Sequence, residues 1–268
     1  MGKEQGCMII DTLFNINFFL ALLIGASIGA AAGLIGSLML TKRMALMGGA
    51  LGHLALPGVA LGLLYGFDIS LGAFIFLLVG IFFIWILQKQ TALPFEATTA
   101  VVFTTFLAIA FLFLPHEETY AALLGDISKI TIPLAMINLF LCLAVLVIIS
   151  FVYKKMVLIY ISKDFAQGQG IQVSVYNFIY LLCIALVVAL GVRIVGGLMT
   201  ASLVAIPAAT SKNVGKTLGQ YRFLSSLFGC LACVLGIFTA IVTKIPVGPS
   251  IILCSSLFFV GSLFFKKS

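Results

Sequence analysis

The chain has 268 residues, of which 63% are hydrophobic and only 9% are charged, and its mean hydropathy is +1.28. An average soluble domain has about 25% charged residues, and a soluble fold of this length could not remove so much apolar surface from water. The composition therefore excludes an ordinary soluble protein, and the net charge of +7 does not indicate a nucleic-acid partner, because the basic residues stand in ones and twos at the ends of apolar runs.

Nine apolar segments follow one another, each near the roughly 20 residues that a bilayer-spanning helix needs. They lie near residues 18–40, 45–65, 69–88, 96–114, 131–153, 176–192, 194–211, 223–243 and 248–265. The seventh contains Pro207, so the alternative is eight true spans and one broken or re-entrant segment. We predict an all-α, polytopic membrane helical bundle of 8–9 transmembrane helices, forming one domain over residues 1–268 in the cell membrane.

The first segment carries Gly25, Gly29 and Gly33 at four-residue spacing. In lipid no hydrophobic force drives helices together, and small residues at this spacing let two helix backbones approach closely. The pattern predicts tight helix packing and indicates no activity.

His53 lies near the middle of the second segment, about nine residues or roughly 14 Å from its inner end. Ionisable groups at this depth are costly and usually face a cavity or pathway. Pro57 lacks the N–H that would bond the His53 carbonyl in a regular helix. Position 53 could therefore offer an imidazole nitrogen and a carbonyl oxygen to a cation in transit. The alternative is a structural histidine bonded to a neighbouring helix beside a packing kink.

The loop after the fourth segment places His116, Glu118 and Asp126 within eleven residues. These side chains are able to bind metal ions, but their spacing matches no closed zinc motif. We expect either a loop that attracts cations and hands them over, or a solvated loop that could also dock an external protein.

The longest polar interruption is KKMVLIYISKDFAQGQGIQVSVY, residues 154–176. It mixes charged residues with glycines, and glycine favours the left-handed conformation that ends many helices. We predict a short amphipathic helix ending at Gly168 or Gly170, which could dock a soluble partner.

Pro207 in the seventh segment removes the donor for the Leu203 carbonyl. Nearby hydroxyl groups could satisfy the backbone or line a wet path; they belong to Thr200, Ser202, Thr210 and Ser211. The following Gly215-Lys216-Thr217 is not a phosphate-binding loop, because its first glycine would fall at Thr210. We therefore predict a chain with no ATP site of its own, and not an enzyme.

The basic residues set the orientation, because cytoplasmic loops of membrane proteins are enriched in lysine and arginine. With the N-terminus outside and the C-terminus cytoplasmic, 11 of the 15 basic residues lie inside and 4 outside. The polar segment 154–176 is then cytoplasmic, and the loop with His116 is external.

From about residue 25 to 265 the chain resembles the permease subunits of bacterial and archaeal ABC importers for zinc, manganese and iron ions, and four segments carry the resemblance. They are KRMALMGGALGHLALPGVALG (42–62), DFAQGQGI (164–171), VGGLMTASLVAIPAATS (195–211) and PVGPSIILCSSLFF (246–259). The resemblance implies a type II ABC importer permease, with His53 on the metal path. The family usually has an aspartate where this chain has Gly49, and Glu118 or Asp126 could compensate for it.

The resemblance also implies the partners: a second copy of this subunit, two P-loop ATPase subunits at the cytoplasmic face, and an external metal-binding protein. It implies that the stretch from Asp164 to Ile171 is the coupling helix seated in the ATPase, which includes Phe165, Ala166, Gly168 and Gly170. The metal ion would be the transported substrate, with no tightly bound cofactor.

Three other interpretations stay open. The first is an ABC permease for a small organic ligand or metal chelate. The second is a secondary transporter driven by an ion gradient, for which broken helices are typical. The third is a membrane scaffold that transports nothing.

Overall fold

The computed structural model describes residues 16–42, 44, 47–91, 95–113, 131–196 and 200–265. Within these ranges all regular structure is helical, which confirms the predicted all-α class. The eleven helices are α1 (Ile16–Thr41), α2 (Met47–Leu54), α3 (Leu56–Tyr65), α4 (Ile69–Gln90), α5 (Phe95–Phe113), α6 (Ile132–Ile161), α7 (Lys163–Gly168), α8 (Val173–Val195), α9 (Thr200–Val214), α10 (Leu218–Thr243) and α11 (Val247–Leu263).

Each predicted apolar segment corresponds to one helix, except the second, which is divided into α2 and α3. Among the described residues, five helices are long and apolar enough to cross a bilayer: α1, α4, α6, α8 and α10. Shorter apolar stretches lie at Gly49–Gly62, Glu96–Ile109 and Val247–Leu263. The fold therefore confirms the multi-pass membrane protein that the composition predicts.

One predicted boundary was wrong. Helix α6 continues to Ile161 and takes up the first part of the polar segment 154–176. Lys154 and Lys155 do not end it, because their side chains are exposed while Met156 and Ile159 are buried against the bundle. Lysine can extend its charged end to water while its stem covers apolar surface.

The seventh segment is not broken at its proline. Helix α9 runs from Thr200 to Val214 with Pro207 inside it. Pro207 is buried, and α9 packs against α1, α10 and α11. A proline in a helix interior costs about 3 kcal/mol, and the packing of α9 against its neighbouring helices offsets that cost.

Helix α1 is the centre of the bundle, and its glycines explain how. It packs against α6, α8, α9 and α10. A Cβ atom at Gly29 would lie 2.3 Å from the carbonyl oxygen of Gly229 in α10, so only glycine fits this crossing. One turn on, the Ser225 hydroxyl donates a hydrogen bond to the Gly33 carbonyl. The predicted packing role of the α1 glycines is confirmed.

Candidate functional site

The break between α2 and α3 is an interruption of hydrogen bonding and not a loop. Ala55, between the two helices, keeps helical angles of φ −74° and ψ −25°. Its N–H donates to the Leu51 carbonyl at 3.3 Å, and its carbonyl accepts from Val59 at 3.0 Å. Pro57 stands in the first turn of α3 and has no N–H, so the His53 carbonyl loses the partner that a regular helix would supply.

The His53 imidazole is partly buried and lies against the ring of Phe103 in α5. The two ring centroids are 5.4 Å apart, and the ring planes are tilted by 30°. The Nδ1 atom of His53 is buried, and no described residue gives it a hydrogen-bond partner. A buried polar atom without a partner is rare and calls for an explanation such as a bound water or ion. Among the described residues, the His53 Nδ1 therefore makes no hydrogen bond to a neighbouring helix, as a structural histidine tied through that atom would.

Gly49 lies one turn before His53, on the same face of α2. A Cβ atom there would meet the Ala201 Cβ of α9 at 3.6 Å, which is an ordinary contact. The position beside the imidazole therefore has room for the start of a side chain. Helix α2 packs against both α5 and α9, so these two helices flank the site.

Four hydroxyl groups on the flanking helices bond the backbones of their own helices. In α5, exposed Thr104 and Thr105 donate to carbonyls of the preceding turn at 2.8 Å. In α9, Thr210 donates to the Ile206 carbonyl at 2.8 Å and Ser211 to the Ala208 carbonyl at 2.9 Å. Neither of these two α9 hydroxyls bonds the Leu203 carbonyl that Pro207 leaves without its usual donor.

No group of three or more His, Cys, Asp or Glu side chains comes together within the part of the chain that the structure describes. His53 thus has no ready-made ligand set among the described residues of one subunit. The other predicted metal-binding residues, His116, Glu118 and Asp126, lie outside the described residues.

The predicted short helix in the polar segment is confirmed as α7, and both of its ends are capped. The Ser162 hydroxyl accepts a hydrogen bond from the N–H of Phe165 at 3.2 Å. At the other end, the N–H of Ile171 bonds the Ala166 carbonyl at 3.0 Å, and that of Gly170 bonds the Gln167 carbonyl at 2.9 Å. Gly170 has φ +75°, so this is the left-handed glycine termination that the sequence predicts.

Helix α7 is held to the bundle by one small side chain. Ala166 is fully buried, and α7 packs against α6 and α8. Asp164, Gly168 and Gly170 are exposed, and Phe165 is 56% exposed. Of the residues assigned to coupling, Ala166 is a buried anchor and Ile171 is half-buried against the core, while the others form an outward surface with an exposed aromatic ring.

Comparison with known proteins covers almost the whole chain. It is 28% identical over 260 residues to the manganese import system permease protein ScaB of Streptococcus parasanguinis, covering 95% of this chain and 93% of that protein. It is 25% identical to the high-affinity zinc uptake system membrane protein ZnuB of Buchnera aphidicola, covering 91% of this chain and 96% of that protein.

Among solved structures, the fold matches a chain of PsaBC from Streptococcus pneumoniae, determined in complex with Fab. The TM-score is 0.82 at 28% identity, covering 96% of this chain and 95% of that one. The sequence pattern of the ABC 3 transport family matches residues 15–266. The chain therefore belongs to the ABC 3 transport family.

Proposed function

We propose that this protein is the membrane-spanning permease subunit of an ATP-driven importer of divalent transition-metal ions. The observation that carries the proposal is the His53 imidazole, whose Nδ1 is buried without a partner at a proline-interrupted helix. Imidazole is a good ligand for zinc and other borderline metal ions. The named functions of ScaB and ZnuB, manganese import and zinc uptake, agree with this chemistry.

One imidazole at the helix break of each subunit suits transport better than storage. A structural zinc site has four protein ligands and holds its ion tightly, whereas a path must release the ion on the other side. Two copies of the chain would bring two His53 side chains to one conduit, and the outer residues His116, Glu118 and Asp126 would supply cations to it. We therefore infer a homodimer with a weak central site, and selectivity contributed by an external metal-binding protein.

Helix α7 would transmit the movement of the ATPase subunits to the membrane helices. With the N-terminus outside and the C-terminus in the cytoplasm, the orientation that the basic residues predict, α7 would lie at the inner face beside two P-loop ATPase subunits. When ATP closes those subunits, α7 moves and pulls on α6 and α8 through the buried Ala166. The bundle then alternates between outward-open and inward-open states around His53.

The direct test is uptake by the full chain reconstituted into vesicles, with and without its ATPase subunits. We expect Mn²⁺ or Zn²⁺ to accumulate only when the ATPase subunits and ATP are both present. Equal uptake without ATPase subunits would instead assign a gradient-driven transporter. Uptake of a metal chelate in preference to the free ion would assign a chelate permease.

Adding a carboxylate beside the imidazole should strengthen the central site. Gly49→Asp places it one helical turn from His53, where a Cβ atom makes only an ordinary contact. We expect the Mn²⁺ concentration for half-maximal uptake to fall severalfold, because a charged oxygen ligand joins the imidazole. Gly49→Asn, which has the same shape without the charge, is the matched control. Equal behaviour of the two variants would argue against a metal pathway at this face of α2.

A further inference from the structure

The start of α8 is hydrogen-bonded through side chains to three other helices. The donors belong to the end of α1, to α6 and to α4, and all three acceptors lie within the first two turns of α8. The hydrogen bonds join Lys42 Nζ to Asn177 Oδ1 at 2.9 Å, Lys155 Nζ to the Tyr176 hydroxyl at 2.6 Å, and Trp85 Nε1 to the Ser174 hydroxyl at 3.3 Å. A shift of this part of α8 would therefore strain contacts to several helices at once.

Helix α7 leads directly into this part of α8. Only residues 169–172 lie between the two helices, and their backbone groups bond to both. The N–H of Ile171 bonds the Ala166 carbonyl in α7 at 3.0 Å. The Gln172 carbonyl accepts from the N–H of Val175 in α8, also at 3.0 Å. A movement of α7 would therefore carry the start of α8 with it.

Of the three links, the one from Lys42 leads towards His53. Helix α2, which contains His53, begins at Met47, five residues after Lys42. The backbone of Lys42 still belongs to the last turn of α1, because its N–H donates to the Leu38 carbonyl at 2.9 Å. Helix α8 also packs directly against α2. The Lys42 side chain thus joins the start of α8 to the segment that carries the imidazole.

A second contact with α8 holds the Lys42 ammonium in place. The side chain is half-buried, and the ammonium lies 4.8 Å from the centre of the Tyr180 ring. Tyr180 lies three residues after Asn177, on the same face of α8, and is itself buried. A cation over an aromatic face is attracted to it, and more strongly where water is excluded. Two neighbouring side chains of α8 therefore hold this one side chain at the end of α1.

The first residue of α7, Lys163, acts on the same ammonium. Burial, and then the nearby Lys163 charge, lowers the pKa of Lys42 to about 8. The repulsion between two like charges changes with the distance between them. A displacement of α7 would therefore change the force on Lys42 directly, as well as through α8.

We propose that Lys42 is a positioning residue that couples α7 to the metal path, by holding the start of α8 to the segment that leads into α2. This inference rests on the proposed function, in which α7 moves with the ATPase subunits and His53 lies on the path. When α7 moves, α8 pulls on Lys42 through Asn177, and α2 shifts with the end of α1. Lys42 acts on the metal ion only through the position of α2.

The test is to replace Lys42 with methionine, which keeps the length of the side chain but removes its charge and its hydrogen bond. Uptake of Mn²⁺ or Zn²⁺ and hydrolysis of ATP are measured together in vesicles that contain the permease and its ATPase subunits. We expect the metal ions moved per ATP to fall about tenfold, the factor for one lost hydrogen bond to a charged group. Lys42→Arg keeps the charge and the donors and should restore most of the coupling. A purely structural role would lower uptake and hydrolysis together and leave their ratio unchanged.

Lys155→Met is the matched control, because it removes the same charge and a side-chain hydrogen bond to α8 from a helix that does not lead into α2. It should couple like the native chain. Asn177→Leu breaks the Lys42 link from the other side and protects the test if Lys42→Met folds poorly. The double variant should couple no worse than either single variant, since both remove the same contact.

Two results would overturn the inference while metal uptake by the native chain stays ATP-dependent. One is that Lys42→Met and Asn177→Leu couple as well as the native chain, and the other is that they couple no worse than Lys155→Met. If the native chain itself shows no ATP-dependent uptake, the proposed function fails, and this inference fails with it.

Discussion

Replacing His53 with alanine should reduce ATP-dependent uptake of Mn²⁺ or Zn²⁺ by about tenfold or more, since even indirect partners of a metal ligand cost 10–100-fold when they are removed. The physical reason is that the variant removes the one imidazole in the described spans, whose Nδ1 has no partner within the chain as described. The measurement is initial uptake by vesicles containing the permease and its ATPase subunits, over a range of metal concentrations.

A general loss of protein stability must be distinguished from loss of metal transport past His53. Asn138→Ala is a suitable control, because Asn138 is also a buried polar side chain within a span, but it donates to its own helix at the Leu134 carbonyl. Expression, assembly with the ATPase subunits and basal ATP hydrolysis should be unchanged in both variants. Unchanged uptake by His53→Ala would remove His53 from the transport path and leave only the membrane placement and the family.

Gly168→Leu should uncouple ATP hydrolysis from transport. A Cβ atom at Gly168 would meet nothing within 4 Å, so a larger side chain does not disturb the fold of this subunit. The new side chain would instead project from the end of α7 into the ATPase subunit that we propose to seat it. We expect a large fall in metal ions moved per ATP hydrolysed, with little change in Tm.

Gly219→Leu provides the matched control for this prediction. Gly219 lies in the first turn of α10, and a Cβ atom there also meets nothing within 4 Å. Gly170 is a less informative position, because its φ of +75° strains any other residue. A substitution there would affect the folding of α7 as well as its docking. If Gly168→Leu couples as well as the native protein does, α7 is not the element that seats in the ATPase.

The features that could be predicted from sequence are those with local causes. A run of apolar residues near bilayer length makes a spanning helix whatever lies beside it, so the all-α membrane bundle follows from the segments themselves. The end of α7 is local in the same way, because Gly170 supplies the left-handed turn within its own loop. Pro57 likewise interrupts its helix through its own missing N–H, and the four motifs in their order led to the correct family.

Only the tertiary structure decided which residues of different helices lie against one another. Pro207 leaves a broken segment open as an alternative, but α9 runs through it without a break and packs against its neighbouring helices. The His53 ring lies against Phe103, 50 positions further along the chain, and its Nδ1 has no partner among the described residues. A cavity lined by Thr41, Tyr160 and Lys212 exists because helices distant in sequence end together there. Contacts between distant helices are set by close helix crossings and leave no periodic pattern within any one segment. The sequence could therefore identify candidate residues but could not show which of them lie together.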